Sequence, residues 1–106
     1  AFNNALKNGL ASASAANVLQ VDAYSAVTDQ VINPTRYGLS NVTATACNLD
    51  SPTPNALGSS LVCNGSNVMA GDVSKYLFAD QVHPTPYGNQ LLAQLVSKAL
   101  VSANWL

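Results

Sequence analysis

The chain has 106 residues, which is room for one small domain and far short of the roughly 250 that a (β/α)₈ barrel needs. Its formal net charge is -1 and only 8% of its residues are charged, so it lacks the clustered Lys and Arg that nucleic acid or an anionic lipid surface would require. A hydrophobic share of 48% argues against disorder. No apolar run approaches the length of a membrane span, and no basic start leads into a short apolar core, which reads as a soluble, processed chain. The opening Ala1-Phe2-Asn3 lacks a methionine and fits either processing or a piece of something longer.

From Ala1 to about Ala15, the side chains of Phe2, Leu6 and Leu10 recur at helical spacing, which predicts an amphipathic helix weakened near Gly9. Val18-Leu19-Gln20-Val21 has the length and β-branching of a buried strand. Ala23 to Ile32 then places Tyr24, Val27 and Val31 on one helical face and stops at Asn33-Pro34, where the residue before proline is pushed out of the helical region. Thr35 to Gly71 shows no sustained period of either kind and reads as a long irregular loop. Ser74 to Phe78 is a short aromatic extended segment. Thr85 as N-cap and Pro86 at the first helical position open the clearest element, a helix with an apolar stripe of Leu91, Leu92, Leu95, Val96, Ala99 and Leu100.

Cys47 and Cys63 are the only two cysteines, and they bound a stretch rich in Asn, Ser, Gly and Pro that a disulfide could close; the alternative is two unrelated buried thiols. Two Cys and one distant His do not make the usual zinc ligand set. A surface built on Asn, Ser, Thr and Gln, together with a disulfide, suggests a secreted, periplasmic or cell-surface protein. The acceptor patterns Asn41-Val42-Thr43 and Asn64-Gly65-Ser66 are expected by chance among twelve Asn.

The chemistry centres on His83, the only histidine, with Asp80 three positions before it. The pair follows an apolar extended segment, is fixed by Pro84 and sits just before a well-capped helix. A turn there can hold both side chains on one face. Nucleophilic acyl transfer wants this arrangement: a neutral imidazole takes the serine proton through one ring nitrogen, while a carboxylate holds the other N–H and fixes the tautomer. Asp80 would orient and His83 would be the base. The bland alternative is an Asp that merely caps a turn beside a loop His.

Tyr76-Leu77-Phe78-Ala79-Asp80-Gln81-Val82-His83-Pro84-Thr85 resembles the last block of the GDSL, or SGNH, esterase and lipase family, whose Asp-x-x-His-Pro-Thr motif supplies two members of a Ser-His-Asp triad. Val18 to Tyr24, Asn33-Pro34-x-x-Tyr37-Gly38 and the Cys-bounded loop are similar to bacterial secreted and autotransporter-type members. The resemblance implies an α/β fold, the C-terminal part of a three-layer α/β/α domain of flavodoxin-like order, over residues 1–106. It implies carboxylic ester hydrolysis through Asp80 and His83, with no cofactor and no metal. The family's Gly-Asp-Ser-Leu-type block and the Gly and Asn of its oxyanion hole have no counterpart here. Ser12, Ser14, Ser25, Ser59 and Ser60 lack the nucleophile's strand-to-helix setting.

The expected chain is therefore incomplete. One or two short strands cannot make the parallel sheet that α/β helices cover, so an N-terminal segment of the same precursor, carrying the Ser nucleophile, is the expected partner. A small-molecule or lipid ester is the expected substrate. The competing reading is a non-catalytic fragment or binding module with no activity of its own.

Overall fold

A computed structural model describes residues 1–13, 16–50 and 58–106. Helix α1 spans Phe2–Ala11 and runs through Gly9 without a break. It stops short of the expected Ala15, which lies outside the described residues, as does Ser14. Ser12 follows the last turn, and its hydroxyl donates to the Gly9 carbonyl at 3.0 Å, satisfying one of the acceptors that a helix end leaves open. No residue of α1 is buried. Phe2 and Leu6 stand out in solvent, although their spacing is that of a packed face.

Helix α2 spans Ala23–Ile32 with the boundaries its sequence predicts. The Asp22 carboxylate caps it, accepting from the Ser25 N–H at 3.0 Å and the Ser25 hydroxyl at 2.7 Å. Beyond Asn33 the chain tightens into a 3₁₀ turn over Pro34–Tyr37, closed by Gly38 in the left-handed region at φ 66. Asp29 fastens this turn back onto α2. It accepts from the Tyr37 hydroxyl, from Asn33 at 2.7 Å and from Arg36 at 3.3 Å. The same bonds, that from Tyr37 foremost, hold the Asp29 carboxyl below its ordinary pKa.

Two expectations need correction here. Val18–Val21 forms no strand: these residues have no ladder partner among the described residues, and a strand needs one to satisfy its backbone. The stretch 35–71 is less irregular than its composition suggests. Asn41–Thr45 is strand β1, which pairs in parallel with strand β2, Tyr76–Phe78, through Asn41 to Tyr76 and Thr45 to Phe78 with an irregularity between. A second 3₁₀ turn covers Ser60–Val62. Parallel strands need a long crossover, and here the cysteine-bounded loop supplies it. A disulfide joins Cys47 and Cys63, with their Cα atoms 5.8 Å apart.

Helix α3, Pro86–Ser102, starts at the predicted cap: the Thr85 hydroxyl accepts from the Gly88 N–H at 3.0 Å. It packs on β2 so closely that a Cβ at Gly88 would lie 2.7 Å from the Leu77 carbonyl oxygen and 2.9 Å from the Pro84 Cβ. The buried core is small. Leu39, Leu77 and Leu91 form it, and Tyr37, Val42, Phe78 and Tyr87 pack around it. Tyr87 ties it together, its hydroxyl donating to the Tyr37 carbonyl at 2.8 Å while the Lys75 ammonium lies 3.6 Å over its ring. Of the predicted α3 stripe Leu91 is buried, whereas Leu92 and Val96 are 40% and 37% exposed.

These helices and the small parallel sheet are the layout of a partial α/β domain. The Cα radius of gyration is 17.0 Å, against about 13 Å for a compact chain of 100 residues. The accessible surface is 7392 Å², where an 11.0 kDa monomer that closes on itself exposes about 5600 Å².

Candidate active site

The site is built on the turn between β2 and α3. Ala79 donates its N–H to the His83 carbonyl at 2.8 Å, and Thr85 donates its own to Leu77 at 2.9 Å. Together with the bridge between Phe78 and Pro84, these bonds fold residues 79–83 into a tight reversal. The Thr85 hydroxyl, inside the protein, donates to the Tyr76 carbonyl at 2.5 Å while capping α3. Strand, turn and helix are thus locked by one side chain.

Asp80 occupies the inside of the reversal and is 0% exposed. Its Oδ1 accepts the backbone N–H of Val82 at 2.9 Å and of His83 at 2.7 Å, which is how a short acidic side chain stabilises a turn that follows it. Its Oδ2 accepts the Ser60 N–H at 2.5 Å, from the 3₁₀ turn twenty residues earlier. Both oxygens also face the His83 imidazole, with Nδ1 at 3.0 Å from Oδ1 and 2.9 Å from Oδ2. Burial alone would raise the Asp80 pKa, but the N–H groups of His83, Val82 and Ser60, joined by the Ser60 side chain, outweigh it and hold the carboxyl well below the ordinary carboxylate range. The group is a fixed anion.

His83 has the opposite environment, its side chain being 57% exposed. With Nδ1 committed to Asp80, the ring's other nitrogen, Nε2, is turned away from the carboxylate. A buried, fully hydrogen-bonded anion holding the inner nitrogen of a solvent-facing imidazole can fix the tautomer with Nδ1 protonated and leave Nε2 to accept a proton. The structure thus brings together the two residues that the sequence singles out. Capping a turn and orienting a histidine also prove compatible, because Asp80 does both with different lone pairs.

Other expected features sort differently. The hydroxyls of Ser12 and Ser25 serve their own helices. Ser59 caps the Ser60–Val62 turn, accepting from Leu61 at 3.2 Å. Asn41 spends its side-chain oxygen on the N–H groups of Thr43 and Ala44, and Asn64 spends its own on Ser66. Sequence reasoning missed Ser60, whose contact with Asp80 spans the loop, and Asn67, a buried side chain that accepts from Asn64 at 2.6 Å and donates to Val62 at 2.9 Å. Neither carries a local signal. The disulfide was the only hint that the loop's far end returns to the site.

Comparison with known proteins points to one family. The chain is 34% identical over 77 residues to GDSL esterase/lipase At1g74460 of Arabidopsis thaliana, covering 73% of this chain and 20% of the relative. It is 31% identical over 83 residues to GDSL esterase/lipase At5g37690 of the same plant, covering 78% of this chain and 22% of that one. This is a GDSL-family segment. GDSL esterase/lipase At1g06990, also from Arabidopsis thaliana, extends the similarity to 94% of the chain at 29% identity, over 26% of its own length. The segment thus spans about a fifth to a quarter of the GDSL relatives it matches. These relatives carry the resemblance to the family's C-terminal portion; they are plant proteins and do not bear on the likeness to bacterial members. No family model matches the chain. No solved structure matches it either.

Proposed function

We propose that this segment belongs to a carboxylic ester hydrolase and supplies two members of its Ser-His-Asp triad, Asp80 and His83. The observation that carries the reading is the pair itself: a buried carboxylate with both oxygens about 3 Å from Nδ1 of a histidine whose outer edge is open to solvent. In the first half-reaction His83 Nε2 accepts the serine proton as Oγ attacks the ester carbonyl, then returns it to the departing alcohol. In the second it accepts a proton from water, which attacks the acyl-serine, and gives it back to the serine as the acid leaves. Asp80 remains ionised throughout and stabilises the imidazolium formed in each half.

The serine and the oxyanion donors come from an N-terminal segment of the same protein that completes a three-layer α/β/α domain. Three observations support this. The matched relatives are four to five times longer than the stretch they share with this chain. The surface exceeds that of a closed monomer. The apolar residues Tyr24, Ile32, Leu92 and Val96 lie exposed on helices whose spacing is that of packed elements. A disulfide-closed loop fits the oxidising conditions of a secreted, periplasmic or cell-surface location.

The test is turnover of p-nitrophenyl esters of graded chain length by the full-length protein. His83→Ala should reduce kcat by a factor on the order of 10⁴ or more, with folding retained. Hydrolysis undiminished in that variant would overturn the triad assignment, and no hydrolysis by the unsubstituted full-length protein would favour a binding module.

A further inference from the structure

The Asp80 carboxylate has a partner outside its own turn, and the route by which that partner arrives is covalent. The Ser60 N–H reaches Oδ2 at 2.5 Å from a 3₁₀ turn remote in sequence. Both ends of the disulfide are hydrogen-bonded into this contact. Cys63 donates its N–H to the Ser60 carbonyl at 3.0 Å, and Cys47, which is buried, donates its own to the carbonyl of Ala79, the neighbour of Asp80, at 3.0 Å. Ser60, Cys63, Cys47, Ala79 and Asp80 therefore form a closed ring of one disulfide, one peptide bond and three hydrogen bonds. Asn67 supports it, holding the Val62 carbonyl and the Asn64 N–H on either side of Cys63.

We propose that the Ser59–Val62 turn is a positioning element for the Asp80–His83 pair, and that the Cys47–Cys63 disulfide keeps it docked. The inference rests on the esterase reading above and adds to it. The bonds from Val82 and His83 fix Oδ1, whereas Ser60 fixes Oδ2 and so sets the rotation of the carboxylate plane against the imidazole. Without that donor the carboxylate's last torsion, a broad one, is restrained from the Oδ1 side alone, and the bond to Nδ1 loses part of its alignment. Ser60 touches no reacting atom in this scheme; it acts through Asp80.

The backbone allows a selective test. Ser60 opens its 3₁₀ turn, where proline is tolerated, and Ser59 before it is already extended at φ -111 and ψ 141, as a residue preceding proline prefers. Ser60→Pro in the full-length protein therefore removes both the donating N–H and the side-chain hydroxyl from the carboxylate, and its ring carbon displaces Oδ2 from the docked position. The expected result is a kcat lowered about ten- to hundredfold at nearly unchanged KM, with an acid limb of the kcat profile moved to lower pH, because a misaligned carboxylate stabilises the imidazolium less. Cys47→Ala with Cys63→Ala should move kcat and the acid limb in the same direction, and this pair keeps the proposal testable should Ser60→Pro not fold. If His83→Ala abolishes turnover while Ser60→Pro or the cysteine pair folds with wild-type kcat and pH profile, the positioning role is refuted and the esterase reading stands. If His83→Ala is itself active, the triad assignment fails first.

Discussion

Asp80 and His83 divide the work of the site by environment. The carboxylate is inside the protein and fully hydrogen-bonded, while the imidazole is half in solvent. Because the folded-state pKa of Asp80 lies below its ordinary value of 3.8, the fold favours the ionised form. That stabilisation is complete above pH 3.8 and is lost as pH falls below it towards the folded-state value. An acid titration of stability followed by circular dichroism should therefore show a steep loss in the wild type at low pH and a shallower one in Asp80→Asn. The same substitution tests catalysis: an amide N–H aimed at Nδ1 would move the imidazole proton to Nε2, where it blocks proton acceptance. Loss of kcat on the order of 10⁴ with binding preserved is the expected outcome.

The elements show why some of the chain is legible in its sequence and some is not. Helices α2 and α3 carry their own punctuation, Asp22 and Asn33-Pro34 at the two ends of one and Thr85-Pro86 at the start of the other, and the structure places those ends where these residues say. The strands carry none. Asn41–Thr45 reads as loop because its partner, Tyr76–Phe78, is thirty residues away, and Val18–Val21 reads as strand although nothing among the described residues pairs with it. Pairing is a tertiary event, so propensity alone misplaces it. At this scale Thr85→Ala should destabilise the protein by about 1–2 kcal/mol through loss of both the helix cap and the bond to Tyr76. Thr85→Ser should recover most of it in a urea titration. Breaking the Cys47–Cys63 bridge should cost up to about 3 kcal/mol, read as a lower thermal midpoint in the presence of dithiothreitol; an unchanged midpoint would count against its stabilising role.

For the molecule as a whole, the apolar faces separate what the segment does for itself from what it offers to a partner. Leu91 belongs to its own core with Leu39 and Leu77, so Leu91→Asp should unfold the segment, and it is a poor probe of assembly. Leu92 and Val96 on α3, and Ile32 on α2, are among the exposed positions. Val96→Asp or Ile32→Asp in the full-length protein should expose α3 or α2 to limited proteolysis and lower stability if an N-terminal segment covers them. Stability equal to wild type in both variants would show that these faces are solvent-facing in the intact protein.

The sequence by itself pointed to both ends of α2, the start of α3, the Asp80–His83 pairing and the family, because caps, a proline and an Asp-x-x-His-Pro-Thr motif act within a few residues of where they are written. It also pointed to the disulfide, through a loop composition that cannot hold itself together. Only the tertiary structure decided which residues pair as strands, that Asp80 is buried and His83 exposed, and that Ser60 closes on the carboxylate. Those facts depend on chain segments that meet across a long loop, and the free energy of such a meeting is set by burial and partner geometry, which no local pattern encodes.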